Sequence, residues 1–570
     1  MPILRSLKTM SRLIAAFVCG SALAFAAWQF EGRPQDIAPA PAGGLVDGKF
    51  ACLSYAPYRD GQSPFNESFV VPPSQIDEDL GILANHTACV RTYSTNQGLA
   101  EVVPLAARHG LKVLLGAWIG AEGPKNDREV ASAIKIANAY PDTVAAVIVG
   151  NEVLLRRDQT AQKLDSYLKQ VKAAVHVPVT YADVWEFWLE NPQLANDVDF
   201  ITVHMLPYWE DQPIAVPRAL QHVTNILQRV QASFPGRKLF VGEIGWPSLG
   251  RMRDDARPSP TDQARFLREF VALSQNLGVG YNFIEAFDQS WKRASEGTVG
   301  GHWGLYDSKR EAKVELAGPV SDDPAWRRNW LIGSGLGLLV LVAGLIGRGA
   351  SSSDGRWVFA AGLLASIAGS VLQAHIIYVW DTALTRLDWL AGAAGFGLSI
   401  LAAVFAVIAL IERASDAPSP AHVAMTDILS VVAHARIDRS RAFLSGLIET
   451  LVLMFATATA LAILIDGRYR DFPTAIYLTP ALSFIAFRIA SGRRLTDDQP
   501  ANLLALGLAI IAIGTVINES LGNSQALLWS ATLLLLSTPW IVDVARAAYD
   551  RSRAMTAKPN TSPSAAGPAL

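Results

Sequence analysis

The chain has 570 residues, with 49 Lys and Arg against 51 Asp and Glu, and 51% of it is apolar. Near-neutral charge gives no footing for a nucleic-acid binder, and the length calls for more than one domain. Composition is that of a soluble protein to about residue 325 and then turns to long uncharged apolar runs, so one part reads as globular and the other as membrane-embedded.

Arg5, Lys8 and Arg12 precede an apolar run from Leu13 to Trp28, the layout of a secretory signal or a signal anchor. Ala24-Phe25-Ala26 offers a cleavage site; an uncleaved anchor over residues 1–29 is the preferred reading. In either case the segment that follows is exported.

Strand-like runs then recur at Ala51 to Tyr55, Ala88 to Tyr93, Lys112 to Trp118, Val144 to Gly150, Val177 to Asp183, Asp199 to His204, Lys238 to Glu243 and Tyr281 to Phe287. Helix-like segments lie between most of them: Gln75 to Asn85, Asp127 to Ala139, Ala161 to Ala174, Val216 to Phe234 and Asp262 to Leu277. Eight β-rich runs alternating with helices predict a (β/α)8 barrel over residues 30–325. The short fifth-to-sixth connection predicts a stub of helix. Cys52 and Cys89 fall at the starts of the first two exported strands, where an oxidising compartment allows them to pair; small buried thiols are the preferred reading, because a disulfide between neighbouring parallel strands is geometrically demanding.

The C-terminal ends of barrel strands face the active site. They carry Tyr55 and Tyr58, Arg91 and Tyr93, Trp118, Asn151 and Glu152, Asp183 and Trp185, His204 and Tyr208, Glu243 and Trp246, then Glu285, Asp288 and Lys292. Glu152 and Glu243 end buried runs on the fourth and seventh strands. Two carboxylates converging from different strands suit glycosidic cleavage, one protonated to serve the leaving oxygen and one ionised to attack the anomeric carbon. The plain alternative is an ion pair for each. The surrounding Trp and Tyr weigh against it, since their flat apolar faces stack on sugar rings. Arg91 is expected either beneath Glu243, holding it ionised, with Tyr93 as a hydrogen-bond donor, or as a core arginine satisfying backbone carbonyls.

These residues carry a family likeness. Asn151-Glu152 and Val241-Gly242-Glu243-Ile244-Gly245-Trp246-Pro247-Ser248 resemble the two catalytic signatures of glycoside hydrolase family 17. The run from Ile284 to Lys292 (IEAFDQSWK), followed by Gly304-Leu305-Tyr306, is similar to that family's strand-eight region, with Gln289 where many members carry Glu. The resemblance covers roughly residues 48 to 315 and implies retaining chemistry on β-1,3-glucan: Glu152 as acid/base, Glu243 as nucleophile, and Asn151 toward the sugar 2-hydroxyl. Arg91, Tyr93, Tyr55, Asp183, Trp185, His204, Tyr208, Trp246, Glu285 and Lys292 complete the expected substrate site.

Seven further spans are predicted at about 329–347, 357–380, 389–411, 442–465, 473–490, 503–518 and 525–545, within a membrane domain of residues 326–548. With the N-terminus cytoplasmic, Arg348, Arg356, Arg413, Arg436, Arg439, Arg441, Arg493, Arg494, Arg546, Arg551 and Arg553 fall inside. Arg386, Arg468 and Arg470 fall outside, and Arg327 and Arg328 run against the rule. Both termini are then cytoplasmic and the barrel lies outside the cytoplasm, which is the periplasm, with the spans in a bacterial inner membrane, if the cell has two membranes. Glu449, His375, Arg488 and Asp543 are ionisable groups in or at the ends of spans. Residues 549–570 read as a disordered tail.

The whole chain resembles the membrane-fused rhizobial proteins of periplasmic β-(1,3),(1,6)-glucan synthesis, often labelled β-(1,6)-glucan synthases. That implies a transglycosylase moving a β-1,3-glucan fragment to a 6-hydroxyl, for branching or cyclisation. A tethered endo-β-1,3-glucanase would use the same two glutamates, and a non-catalytic glucan sensor is the third reading. Use of a sugar nucleotide is disfavoured, because Asp197-Val198-Asp199 leads into a strand rather than ending one. Neither cofactor nor metal is expected: the His residues lack His-x-x-x-His spacing and the Cys residues lack Cys-x-x-Cys. The expected partners are a β-glucan donor and acceptor, membrane lipid and a glucan synthase complex, with no nucleic acid.

Overall fold

The computed structural model describes residues 2–346, 354–415, 423–433, 440–492 and 498–556. Eight strands run β1 (Leu53–Ser54), β2 (Cys89–Arg91), β3 (Lys112–Ala117), β4 (Val144–Asn151), β5 (Val179–Val184), β6 (Ile201–His204), β7 (Leu239–Ile244) and β8 (Gly280–Phe283). They pair in parallel, in sequence order, and close into a barrel. Strand-end bounds differ from the predicted runs by a few residues, since pairing ends where the barrel mouth opens.

The helix α1 (Pro2–Gly32) precedes the barrel, and α2 (Pro73–Leu83), α3 (Val102–Arg108), α4 (Gly123–Ala139), α5 (Ala161–Ala174), α6 (Trp185–Glu190), α7 (Val216–Ser233), α8 (Pro260–Leu277) and α9 (Arg293–Gly300) alternate with or follow its strands. The predicted stub between β5 and β6 is α6, only six residues long. Alternate strand residues such as Val147 and Val149 pack outward against these helices, while Ala146 and Ile148 turn inward with Leu114 and Ala182.

Cys52 and Cys89 are disulfide-bonded, which corrects the expectation of free thiols. Leu53 pairs with Val90, so the two cysteines enter the barrel side by side and project into the same inner layer. Reduction is expected to lower the barrel's stability by about 3–4 kcal/mol, the closure entropy of a loop of this size. The check is the unfolding temperature of the detergent-solubilised chain with and without dithiothreitol; an unchanged value would dispose of the bond's structural role.

The chain enters and leaves the barrel along one line. Gln35 and Val320 exchange backbone hydrogen bonds at 2.8 and 3.0 Å, and Ala40 N donates to Leu316 O at 2.9 Å. Arg268 of α8, buried, donates to Ile37 O at 3.1 Å on the incoming strand and to Glu315 O and Gly318 O at 2.9 and 2.8 Å on the outgoing one.

Beyond the barrel lie α10 (Trp326–Leu345), α11 (Gly355–Thr382), α12 (Arg386–Ala414), α13 (Met425–Ala433), α14 (Arg441–Ile465), α15 (Thr474–Ser491), α16 (Gln499–Glu519) and α17 (Ser524–Thr556). With α1, eight of the described helices are long and apolar enough to cross a membrane. Leu338, Leu339, Leu503, Ile513 and Ile517 face outward on them, as lipid-facing positions would. The short α13 was not expected. Residues 549–556 continue α17 rather than forming a tail, because the helix keeps its register past the apolar run; 557–570 lie outside the described residues. So do Arg348, Arg436, Arg439, Arg493 and Arg494. Helix α1 packs on α10 and α11, with Trp28 Nε1 donating to Ser370 Oγ at 3.0 Å and Trp330 Nε1 to Ser21 O at 3.0 Å. Arg488 lies 3.2 Å from Asp543 and 4.0 Å from Glu449, and His375 Nε2 is 3.1 Å from Gly392 O.

Candidate active site

The strand register slips at the mouth in three places, after Ile148 on β4, after Val203 on β6 and after Val241 on β7. Bulges there re-aim Asn151, His204 and Glu243 into the barrel axis. Two glycines make this possible. Gly150 has φ +84°, and a Cβ on Gly242 would lie 2.4 Å from Thr202 and 2.9 Å from the His204 ring.

Glu152 itself sits at φ +52°, a left-handed conformation that a non-glycine residue holds only when its surroundings insist. They do: Glu152 N donates to Ala182 O at 2.8 Å, and the following turn is held by Asp183. Asp183 Oδ2 accepts from Leu154 N at 3.2 Å, from Leu155 N at 3.4 Å and from the Tyr181 hydroxyl.

Glu243 is held from below. Arg91 Nη1 donates to Glu243 Oε1 at 2.9 Å and to Gly242 O at 2.8 Å, and Arg91 Nη2 donates to Asn151 Oδ1. The Tyr93 hydroxyl lies 2.8 Å from Glu243 Oε1 and 2.9 Å from Ser54 Oγ. It has one proton, which goes to the carboxylate as the stronger acceptor, and Ser54 donates to Tyr93 in turn. Since a guanidinium only donates, the Asn151 oxygen must face Arg91. The His204 Nε2, 3.0 Å from that same oxygen, therefore carries the ring proton. No partner holds the Asn151 amide nitrogen among the described residues, which leaves it free for a ligand.

The carboxylate oxygens of Glu152 and Glu243 and the ring nitrogen of His204 all lie within 4.8 Å of one another. Burial, reinforced by the Glu243 and Asp183 charges, pushes Glu152 up to about 8. Burial also works to raise Glu243, but His204, Arg91, Tyr93 and Lys292 together bring it below its ordinary value. At neutral pH one carboxyl is thus protonated and its neighbour ionised. Burial takes His204 down to about 4, so its ring is neutral at pH 7 and what holds Glu243 ionised there is Arg91, Tyr93 and Lys292. This trio has the spacing of a metal-binding set, yet Nε2 is committed to Asn151 and Arg91 already neutralises Glu243, so a cation would have to displace both.

Of the expected site residues, Glu152, Glu243, Asn151, Arg91, Tyr93 and His204 converge as described. Glu285 and Lys292 also reach the site, as a pair at 2.8 Å, with burial raising Glu285 to about 7. The structure gives the remaining five other partners. Tyr55 is buried and donates its hydroxyl to Asp79 at 3.1 Å, away from the mouth. Asp183 spends Oδ2 on the β4 turn and Oδ1 on Val184 N at 2.8 Å. Trp185 turns outward beneath Arg229 of α7, 5.0 Å from its ring centroid. Tyr208 and Trp246 are fully buried, their polar atoms taken by Arg251 O at 2.6 Å and Arg257 O at 2.8 Å. Gln289 holds a loop, donating to Ala56 O at 2.8 Å and accepting from Trp291.

Aromatics of the barrel that do meet solvent include Trp118, 38% exposed with Arg156 over its ring at 4.1 Å, and Phe65 at 75%, edge-on to Trp291. Sequence reading missed Glu296, which faces the charges of Lys292 and Glu243 and whose own carboxyl is raised by burial. It lies on α9, with no motif around it.

Residues 52–304 match the BtgE/BtgC glycoside hydrolase domain. The chain is 30% identical over 257 residues to a glucan 1,3-beta-glucosidase of Arthroderma benhamiae, covering 42% of this chain and 83% of that protein. It is 26% identical over 278 residues to a glucan 1,3-beta-glucosidase of Saccharomyces cerevisiae, covering 44% and 87%. Among solved structures it is similar to a glycoside hydrolase family 17 beta-1,3-glucanosyltransferase from Rhizomucor miehei, at 25% identity and a TM-score of 0.42, covering 47% of this chain and 97% of that one.

Proposed function

The chain belongs, through residues 52–304, to the BtgE/BtgC glycoside hydrolase domain family, and from that premise we propose that it is a retaining enzyme acting on β-1,3-glucan. The observation that carries this reading is the pair of carboxyls within 4.8 Å and in opposite protonation states. Retention needs them about 5 Å apart, close enough for direct attack. Glu243 attacks the anomeric carbon while Glu152 gives its proton to the leaving oxygen. Glu152, now ionised, takes a proton from the incoming hydroxyl, which displaces Glu243. Asn151 directs its free amide to the 2-hydroxyl, and Arg91 and Tyr93 keep the nucleophile charged.

The incoming hydroxyl is a sugar 6-hydroxyl, so the product carries β-1,6 linkages in a periplasmic glucan. Residues 1–29 are a retained anchor, 30–325 the catalytic domain and 326–548 the membrane domain in a bacterial inner membrane, with the C-terminus cytoplasmic. The packing of α1 against α10 and α11 supports retention of the anchor. Linkage analysis by NMR tests the transfer: detergent-solubilised chain is given a defined β-1,3-gluco-oligosaccharide, with Glu243→Gln as control. New β-1,6 signals absent from the control are expected; shortened β-1,3 chains alone would make the protein a tethered glucanase.

The paired carboxyls also set a pH profile. Glycosylation needs Glu152 protonated and Glu243 ionised, so kcat/KM should fall as pH rises through about 8 and fall again only below the ordinary carboxylate range. A descending limb near pH ~4–5, where unperturbed carboxylates titrate, would reassign the acid.

A further inference from the structure

Three loops of the catalytic face are seated on the helical part. Arg251, after β7, is 3% exposed; it is ion-paired with Glu519, donates to Arg470 O and covers the Phe472 ring at 4.1 Å. Met252 N donates to Gln525 Oε1 at 2.8 Å, and on the β8 side Arg293 Nη2 donates to Asp381 O at 2.8 Å. These groups are consumed in holding the contact.

Tyr469, between α14 and α15, is not consumed. Its carbonyl oxygen is wedged against Gly297, where a Cβ would come within 2.2 Å. Its ring meets Trp209, after β6, edge-on at 5.9 Å, and Trp209 is stacked on Trp303 at an interplanar angle of 15°. Yet Tyr469 stays 42% exposed, and its hydroxyl has no hydrogen-bond partner among the described residues. Gly297 directly follows Glu296, whose carboxyl the Glu243 charge reaches. The tyrosine thus meets the loops that follow β6 and β8 on the catalytic face, supplied by the helical part and not by the barrel. Arg468 lies 5.7 Å from its ring centroid and Arg253 5.4 Å from that of Trp209. A flat apolar ring with guanidinium donors beside it matches a neutral polyol, whose ring face stacks while its hydroxyls accept.

We infer that the loop of residues 466–473 completes the substrate cleft, and that Tyr469 stacks on a glucose unit some way along the bound chain from the bond being cleaved. This rests on the proposed glucan activity. The helical part is then a component of the substrate site as well as an anchor.

The test uses the full chain in detergent with β-1,3-gluco-oligosaccharides from disaccharide to octasaccharide. Tyr469→Ala is expected to lower kcat/KM on the octasaccharide about tenfold more than on the shortest oligosaccharide cleaved, about 1.4 kcal/mol of lost binding. Tyr469→Phe should recover most of it. In a Glu243→Gln background, binding followed by tryptophan fluorescence should show the same dependence on length. Cleavage by the wild type with equal losses at every length, or with none, overturns this inference alone. A wild type that neither cleaves nor binds the oligosaccharides overturns the proposed activity with it.

Discussion

Glu243→Gln is expected to cut kcat/KM on β-1,3-gluco-oligosaccharides by about 10⁴-fold or more, while the substrate still binds. The amide keeps an oxygen for Arg91 and Tyr93, so the geometry survives, but it cannot form the ester with the anomeric carbon. Arg91 loses its buried counter-ion, now 2.9 Å from a neutral group, so some stability should go as well. An unfolding temperature measured beside the kinetics separates the two effects. A folded variant retaining a tenth of the activity would remove Glu243 from the nucleophile's role.

Glu152→Gln should cost about 10²- to 10⁴-fold on unactivated glucan, the usual worth of a positioned proton donor. The deficit should shrink with an aryl glucoside whose leaving group needs no proton, and the fall in rate above about 8 should vanish, because the group that titrates there is gone. With that activated donor, added azide should intercept the glycosyl-enzyme as a β-glycosyl azide, since the anion needs no general base. Uniform loss for good and poor leaving groups alike would mean that Glu152 positions the sugar and does not move a proton.

The barrel was legible in the sequence because its strands are β-branched runs at regular spacing, and the central pair because each glutamate interrupts such a run. Arg91, Tyr93 and His204 were legible for the same reason: a charged or polar group on the last inward position of a strand points at the axis. Tyr55, Trp185, Tyr208 and Trp246 misled because strand-end position does not fix direction. A residue or two past the last pairing, the chain turns outward, and large aromatics fill the layer between loops and helices. The Cys52–Cys89 bond was missed because general constraints on parallel strands were weighed without the register that sets the two side by side. Glu296 and Tyr469 gave no signal, since their places depend on a loop path and on how two halves of the chain meet.

The two backbone segments joining the barrel to the helices are hydrogen-bonded to each other and pinned by Arg268. A single peptide leash would let the barrel swing and graze whatever polymer lay within its radius. A doubled, riveted strut transmits torque instead of absorbing it, so on the membrane-embedded reading the catalytic mouth keeps one standoff and one heading. The enzyme then works as a fixed tool head: it reaches a layer beside the membrane no deeper than its own height, and the polymer must be delivered to it.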